Sequence, residues 1–318
     1  MLVYDAAYNS LRSKYIVPLT DYSIRYDSLK KNNIKEILVS KFISVQKDSD
    51  GDLLFTFEQD VLLKALLGDI QLFFIRTKIQ KIDATTSANV NFSSNWNIVT
   101  HYYFGFFCAS LLLRLCFKGN IFLDDKMKRE LEKLVSQVLG EVIKLDSNQF
   151  YEVVIANSGE YVLKLSKANA NTHEVVWKKV DALLDEMLLI TRKKSDEELV
   201  LKAIKNMNYS LSNTFPSKLR NAVNYQSLYG LKYLNNSLYP IDSNISWLRN
   251  LIHYQKMRDD NQVASAMYSY ICYLEILCDN LMSEYFKIRG NQNGLIKNIN
   301  KKCNNAIHVP NIRYVFEL

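Results

Sequence analysis

At 318 residues, 48% of them hydrophobic and 23% charged, the chain is long enough for one elaborated domain or two ordinary ones and too apolar to be disordered throughout. Nine glycines and four prolines argue against a loop-rich β-sandwich or a glycine-punctuated nucleotide-binding fold and favour long uninterrupted helices. A formal charge of +7 admits an anionic partner but falls short of a dedicated basic tail; Lys178-Lys179 and Arg192-Lys193-Lys194 have acidic neighbours and read as solvated faces.

Residues 1–55 show no clear period: Ile37–Val45 fits a strand or a helix, and Asp48–Asp52 is a turn. From Phe55 to about Lys81 the apolar residues Val61, Leu62, Leu66, Ile70 and Phe74 recur at mostly three- and four-residue spacing, which predicts a helix. The Thr-, Ser- and Asn-rich residues 84–95 read as a connecting loop. Ser94 or Asn95 is placed to cap a second helix, from about Trp96 to Phe117, that stops at Gly119. It is apolar on nearly every side, and its most membrane-like stretch, Tyr102–Leu115, is interrupted by Arg114 and too short to span a bilayer, so the helix belongs in the middle of a bundle.

A third helix is predicted from Asp124 to about Ile143. The period then changes: Tyr151-Glu-Val-Val-Ile-Ala, the turn Asn157-Ser-Gly-Glu and Tyr161-Val-Leu-Lys-Leu form a hairpin near 151–166. Helices follow over Thr172–Thr191, Asp196–Met207 and from Phe215, with Pro216 near the first turn. An Asn/Ser-rich linker at 233–244 precedes helices at Ile245–Met257 and Val263–Phe286. Residues 291–318 form a basic tail whose end, Val309–Leu318, reads as a docking tail or edge strand.

Five scattered cysteines point to buried free thiols in a reducing compartment. The first fifteen residues lack an apolar stretch of signal-peptide length, so a soluble cytoplasmic chain with no membrane partner is expected. The histidines, at 101, 173, 253 and 308, make no metal-ligand spacing, and no phosphate loop or dinucleotide fingerprint occurs; neither metal nor cofactor is expected.

Two segments have residues suited to phosphate chemistry. In Leu219-Arg220-Asn221-Ala222-Val223-Asn224-Tyr225, Arg220 and Asn224 lie four apart on one helical face, where they would hold a phosphate; the plainer alternative is a local hydrogen bond with the Tyr ring in the core. In Arg249-Asn250-Leu251-Ile252-His253, the cation and the imidazole also share a face. Arg249 would stabilise charge on a phosphate while His253 transfers a proton; the alternative is a surface pair. His101, beside Tyr102 and Tyr103, is either a cleft residue or a structural histidine. His173 is expected to make a local hydrogen bond or to face water.

The helix Asn97-Ile-Val-Thr-His-Tyr-Tyr-Phe-Gly-Phe-Phe-Cys-Ala-Ser-Leu-Leu-Leu-Arg114 and the segment Leu219–Tyr225 together resemble the HEPN superfamily, over about residues 57–288. That resemblance implies a mainly α fold: a HEPN-like helical bundle with an inserted β-hairpin and additional terminal elements. It divides the chain into an N-terminal extension or small subdomain (1–55), a HEPN-like body (56–290) and the tail. It further implies a homodimer or a multiprotein defence complex, RNA as a partner, and metal-independent RNA cleavage in an antiviral or toxin system. Arg249, His253 and Arg220 would be catalytic, and Arg220, Asn221, Asn224, Tyr225, Asn250 and His101 would contact RNA. The usual signature has four to six residues between Arg and His; no His follows Arg220 in that window (Tyr225 to Ser227), and only three residues separate Arg249 from His253, one short of the signature. A catalytically inactive binding or assembly subunit is the alternative.

Overall fold

The computed structural model describes residues 5–25, 28–89, 94–156, 160–168, 171–225 and 260–289. Among these the chain is mainly helical with one antiparallel sheet. Helix α1 (Ala6–Leu11) runs on through a π turn and a 3-10 turn to Leu19, and α2 spans Ile34–Ser40. Strands β1 (Ser44–Lys47) and β2 (Leu53–Thr56) lead into the long helices α3 (Gln59–Asn89) and α4 (Ser94–Leu115). Then come β3 (Lys118–Phe122), α5 (Asp125–Leu139), β4 (Asn148–Ile155), β5 (Tyr161–Lys167), α6 (Thr172–Ile190), α7 (Asp196–Leu211), α8 (Phe215–Tyr225) and α9 (Asp260–Arg289).

Short polar side chains start the helices by accepting the backbone N–H groups that have no intrahelical acceptor. Asn33, Asp124, Asn171 and Ser195 accept from the N–H of Glu36, Met127, Glu174 and Glu198 at 3.0–3.1 Å. Gly140, at φ +71°, closes α5 in the left-handed conformation that costs a glycine least. At α1 the acceptor is distant: the buried Glu197 carboxylate on α7 takes the N–H groups of Ala7 and Tyr8 at 3.0 and 2.9 Å.

Helix α4 is the axis of the body. It packs against α3, α9, α6, α8 and β3, and 78% of its most apolar stretch is buried inside the protein, which marks it as a core helix rather than a bilayer span. Close approach is enforced at Gly68 on α3, where a Cβ would meet the Asn32 carbonyl oxygen at 1.7 Å, and at Gly105 on α4, which faces Ile271.

The hairpin expected near 151–166 is present as β4–β5, but it is not an isolated insertion. Its strands lie inside a five-stranded sheet of order β1-β2-β5-β4-β3, with Leu53 opposite Leu165 and Gly119 opposite Tyr151. Residues 44–56 thus form one side of the sheet, and Tyr8, Leu11, Ile37 and Phe55 share the core with the long helices. The loop expected over 84–95 is also different: α3 continues to Asn89. Ile82 and Ala84 are buried there, and the Thr85 hydroxyl donates to the Lys81 carbonyl at 2.9 Å, so its polarity is satisfied within the helix. Cys108, Cys116, Cys272 and Cys278 are free and buried, as expected; Cys303, the linker at 233–244, the helix predicted over Ile245–Met257 and the tail 291–318 lie outside the described residues.

Helices and sheet are joined by a buried polar group. Arg114, near the end of α4, donates to the carbonyls of Ser110 and Asn120 at 3.1 and 2.8 Å, and its Nε lies 3.8 Å from Asp69 on α3. The Tyr151 hydroxyl on β4 donates to the same carboxylate at 3.3 Å, and the Arg114 guanidinium lies 3.4 Å from the centre of the Phe73 ring. Removing one charge of a buried pair strands the other. Arg114→Met is therefore expected to cost about 3 kcal/mol in urea unfolding, whereas the double change Asp69→Leu with Arg114→Met recovers most of it. A double variant no more stable than the single one would show that the pair is not the linking unit.

Candidate anion-binding site

Helix α8 buries Phe215, Leu219 and Val223, spaced by four, against the body. Phe215 stacks over Tyr270 of α9 at 6.4 Å. That docking fixes the other faces: Lys218, Asn221, Asn224 and Tyr225 are exposed, Tyr225 by 76%, and Arg220 is half-buried over α4. The Arg220 guanidinium carbon lies 5.2 Å from the centre of the Tyr102 ring and 5.8 Å from that of Tyr103. Its buried Nε has no hydrogen-bond partner, and no carboxylate among the described residues pairs with it. The cation is seated on two aromatic rings, and its Nε–H is left without a partner that an anion could supply.

His173 completes the group. It sits in the first turn of α6 with Nδ1 2.8 Å from the Tyr102 hydroxyl, and its ring centre is 4.5 Å from Phe106 and 6.1 Å from Tyr103. Burial first, and the Arg220 charge second, hold the imidazole below its usual pKa, so it is neutral near pH 7. Burial likewise raises the Tyr102 phenol and keeps it protonated, although Trp177, Ser217 and Arg220 press donors toward its oxygen. Tyr102 Oη and His173 Nδ1 share one hydrogen bond, and which of the two donates is set by the His173 tautomer.

The other sequence candidates separate. His101 is 4% exposed, donates from Nδ1 to the Asn97 carbonyl at 2.7 Å and meets the Tyr268 ring edge-on at 4.8 Å; burial lowers its pKa, and it is a neutral structural histidine closed to outside partners. Arg249, Asn250 and His253 lie outside the described residues. His173, expected to bond locally or face water, instead contacts a residue 71 positions away, a pairing no sequence spacing signals. Among the described residues no three His, Cys, Asp or Glu side chains converge as a metal site would require.

A cleft of about 440 Å³ lies beside the sheet, lined in part by Tyr15, Phe117, Lys118, Glu152, Tyr161 and Glu186. Burial works against the Lys118 ammonium, but Glu186 and Glu152, at 2.9 and 3.0 Å, outweigh it and raise its pKa. Lys118 and these two carboxylates are committed to one another, and the cleft shares no residue with the Arg220 group.

Removing the guanidinium should release His173 from repulsion. In NMR titrations, the wild-type His173 ring is expected to titrate below 6.5, and Arg220→Met to move it upward. An unchanged midpoint would separate the two residues electrostatically. No family model, curated protein or solved structure matches this chain, so its chemistry rests on the geometry of these residues.

Proposed function

We propose that this chain is a HEPN-like, RNA-directed protein whose phosphate-binding residue is Arg220, acting in an antiviral or toxin setting. The observation that carries this reading is the state of the Arg220 guanidinium. It is seated on two tyrosine rings without a carboxylate among the described residues, beside a neutral His173 and a polar helix face bearing Asn221, Asn224 and Tyr225. A cation beside a neutral imidazole suits an anionic oxygen, and the amides and exposed ring suit unpaired bases.

Cleavage without a metal needs a proton acceptor in addition. His173 Nδ1 is already engaged by the Tyr102 hydroxyl, which favours binding without cleavage by this group; the alternative role as a noncatalytic binding or assembly subunit follows from that observation. In the cleaving version of the proposal, Arg249 and His253 supply the missing chemistry.

Fluorescence anisotropy with a labelled single-stranded RNA, together with cleavage assays in chelator, tests both versions. Arg220→Ala is expected to weaken binding by about tenfold or more, and Arg220→Lys to recover only part of it, because lysine lacks the planar fork. Metal-free cleavage lost in Arg249→Ala and His253→Ala but unaffected by His173→Ala supports the nuclease. RNA binding indifferent to Arg220→Ala would sink the reading.

A further inference from the structure

Helix α4 is covered on most sides, but one face stays half-open, and that face is aromatic. Tyr103, Phe106 and Phe107 fall at i, i+3 and i+4 and are each half-buried, while Tyr102, Phe104, Cys108 and Leu111 point into the core. The open rings belong to a longer row of contacts. At one end Arg220 lies over Tyr103, which meets His173 at 6.1 Å. His173 is 4.5 Å from Phe106, Phe106 is 5.8 Å from Phe107, and Phe107 is 6.3 Å from the half-buried Phe73 of α3. At the far end the exposed Arg76 lies 5.2 Å from the centre of the Phe73 ring. Four helices thus contribute to one strip with an arginine at each end, and neither arginine pairs with a carboxylate among the described residues.

We propose that this strip is a track for an unpaired nucleic-acid strand, its phosphates held at Arg220 and Arg76 and its bases stacked on the half-open rings between them. The inference rests on the RNA reading of Arg220 and extends it to a second anchor and to a substrate class. Charge complementarity favours the strand: a guanidinium at each end of an aromatic strip, neither in an ion pair among the described residues, suits phosphates spaced along one backbone. Base stacking on aromatic rings, and on a guanidinium plane such as that of Arg76, tolerates any sequence and requires that the bases be unpaired. A duplex hides its base faces and offers only its backbone. Arg114 fills one face of Phe73 from the core side, so Phe73 serves to position Arg76, and stacking falls to Tyr103, Phe106 and Phe107.

The test uses the full chain and anisotropy with three labelled RNAs: an oligouridylate of about 12 nucleotides, one of about 4, and a 12-base-pair duplex of roughly the same length, within the range of single-strand site sizes. Arg76 is exposed, but its charge acts on the buried Asp69 carboxylate, so circular dichroism and urea unfolding accompany Arg76→Glu to show that the fold is kept. Arg76→Glu and Phe107→Leu are each expected to weaken the long strand about tenfold while leaving the short strand, held at Arg220, unchanged. Arg76→Glu should also flatten the log–log salt dependence by about 0.7, the loss of one phosphate contact. If both variants bind the long strand like wild type while Arg220→Ala does not, the track is wrong and the Arg220 reading stands. If Arg220→Ala is also without effect, the RNA reading itself fails. Duplex bound as tightly as single strand, or displacement of the long strand by a proline-rich peptide of comparable affinity, would overturn the proposal in favour of backbone or protein recognition.

Discussion

A helix that is apolar around most of its circumference cannot be left at a surface, and α4 imposes that requirement on the rest of the chain. Burying a side chain of the size of Leu or Phe contributes about 1.5–3 kcal/mol, and α4 presents a dozen such groups, so the neighbouring helices are arranged to enclose it. α3 and α9 cover it along its length, α6 and α8 cover its N-terminal half, and the sheet receives its end. Arg114 terminates this apolar axis with a charge that cannot reach water. Asp69, two carbonyls and the Phe73 ring therefore form a polar plug at the point where helices meet strands. Such a plug contributes less to net stability than to fixing which elements meet.

The Arg220 group follows from the same constraint. Tyr102 is fully buried because α4 is, yet its hydroxyl must have partners, and α6 and α8 are placed to provide them. One phenol thereby engages His173 Nδ1 and lies under the Arg220 guanidinium. The residues that enclose a core tyrosine are also those of the proposed anion site, so core packing and the proposed binding chemistry draw on the same side chains.

Periodicity made the long helices legible: α4, α5, α6, α7 and α9 are anticipated to within a few residues, because their apolar spacing and caps are local signals. The β4–β5 hairpin was legible for the same reason. What local signals cannot carry is partnership. β1 and β2 are only four residues long, and their place in the sheet depends on pairing with β5 more than a hundred residues later. The extension of α3 through a Thr- and Ser-rich stretch was hidden because hydroxyls that suggest a loop also bond to carbonyls one helical turn back. Arg220 is singled out from its helix face as a candidate for holding a phosphate, which stays a proposal, whereas the pairing of His173 with Tyr102 is not legible because it joins residues 71 positions apart. His101, read from sequence as either a cleft residue or a structural histidine, is the latter: burial and its bond to the Asn97 carbonyl decide between the two.

The clasp between Glu197 and α1 bears on the order of assembly. Ala7 and Tyr8 present two backbone donors that are satisfied only by a carboxylate about 190 residues further along. During synthesis at about 5–20 residues per second, α1 emerges roughly 10–40 s before its acceptor exists. Even with its π and 3-10 turns to Leu19, so short a helical run is marginal alone in water. The first described helix therefore gains its cap only once α7 has formed.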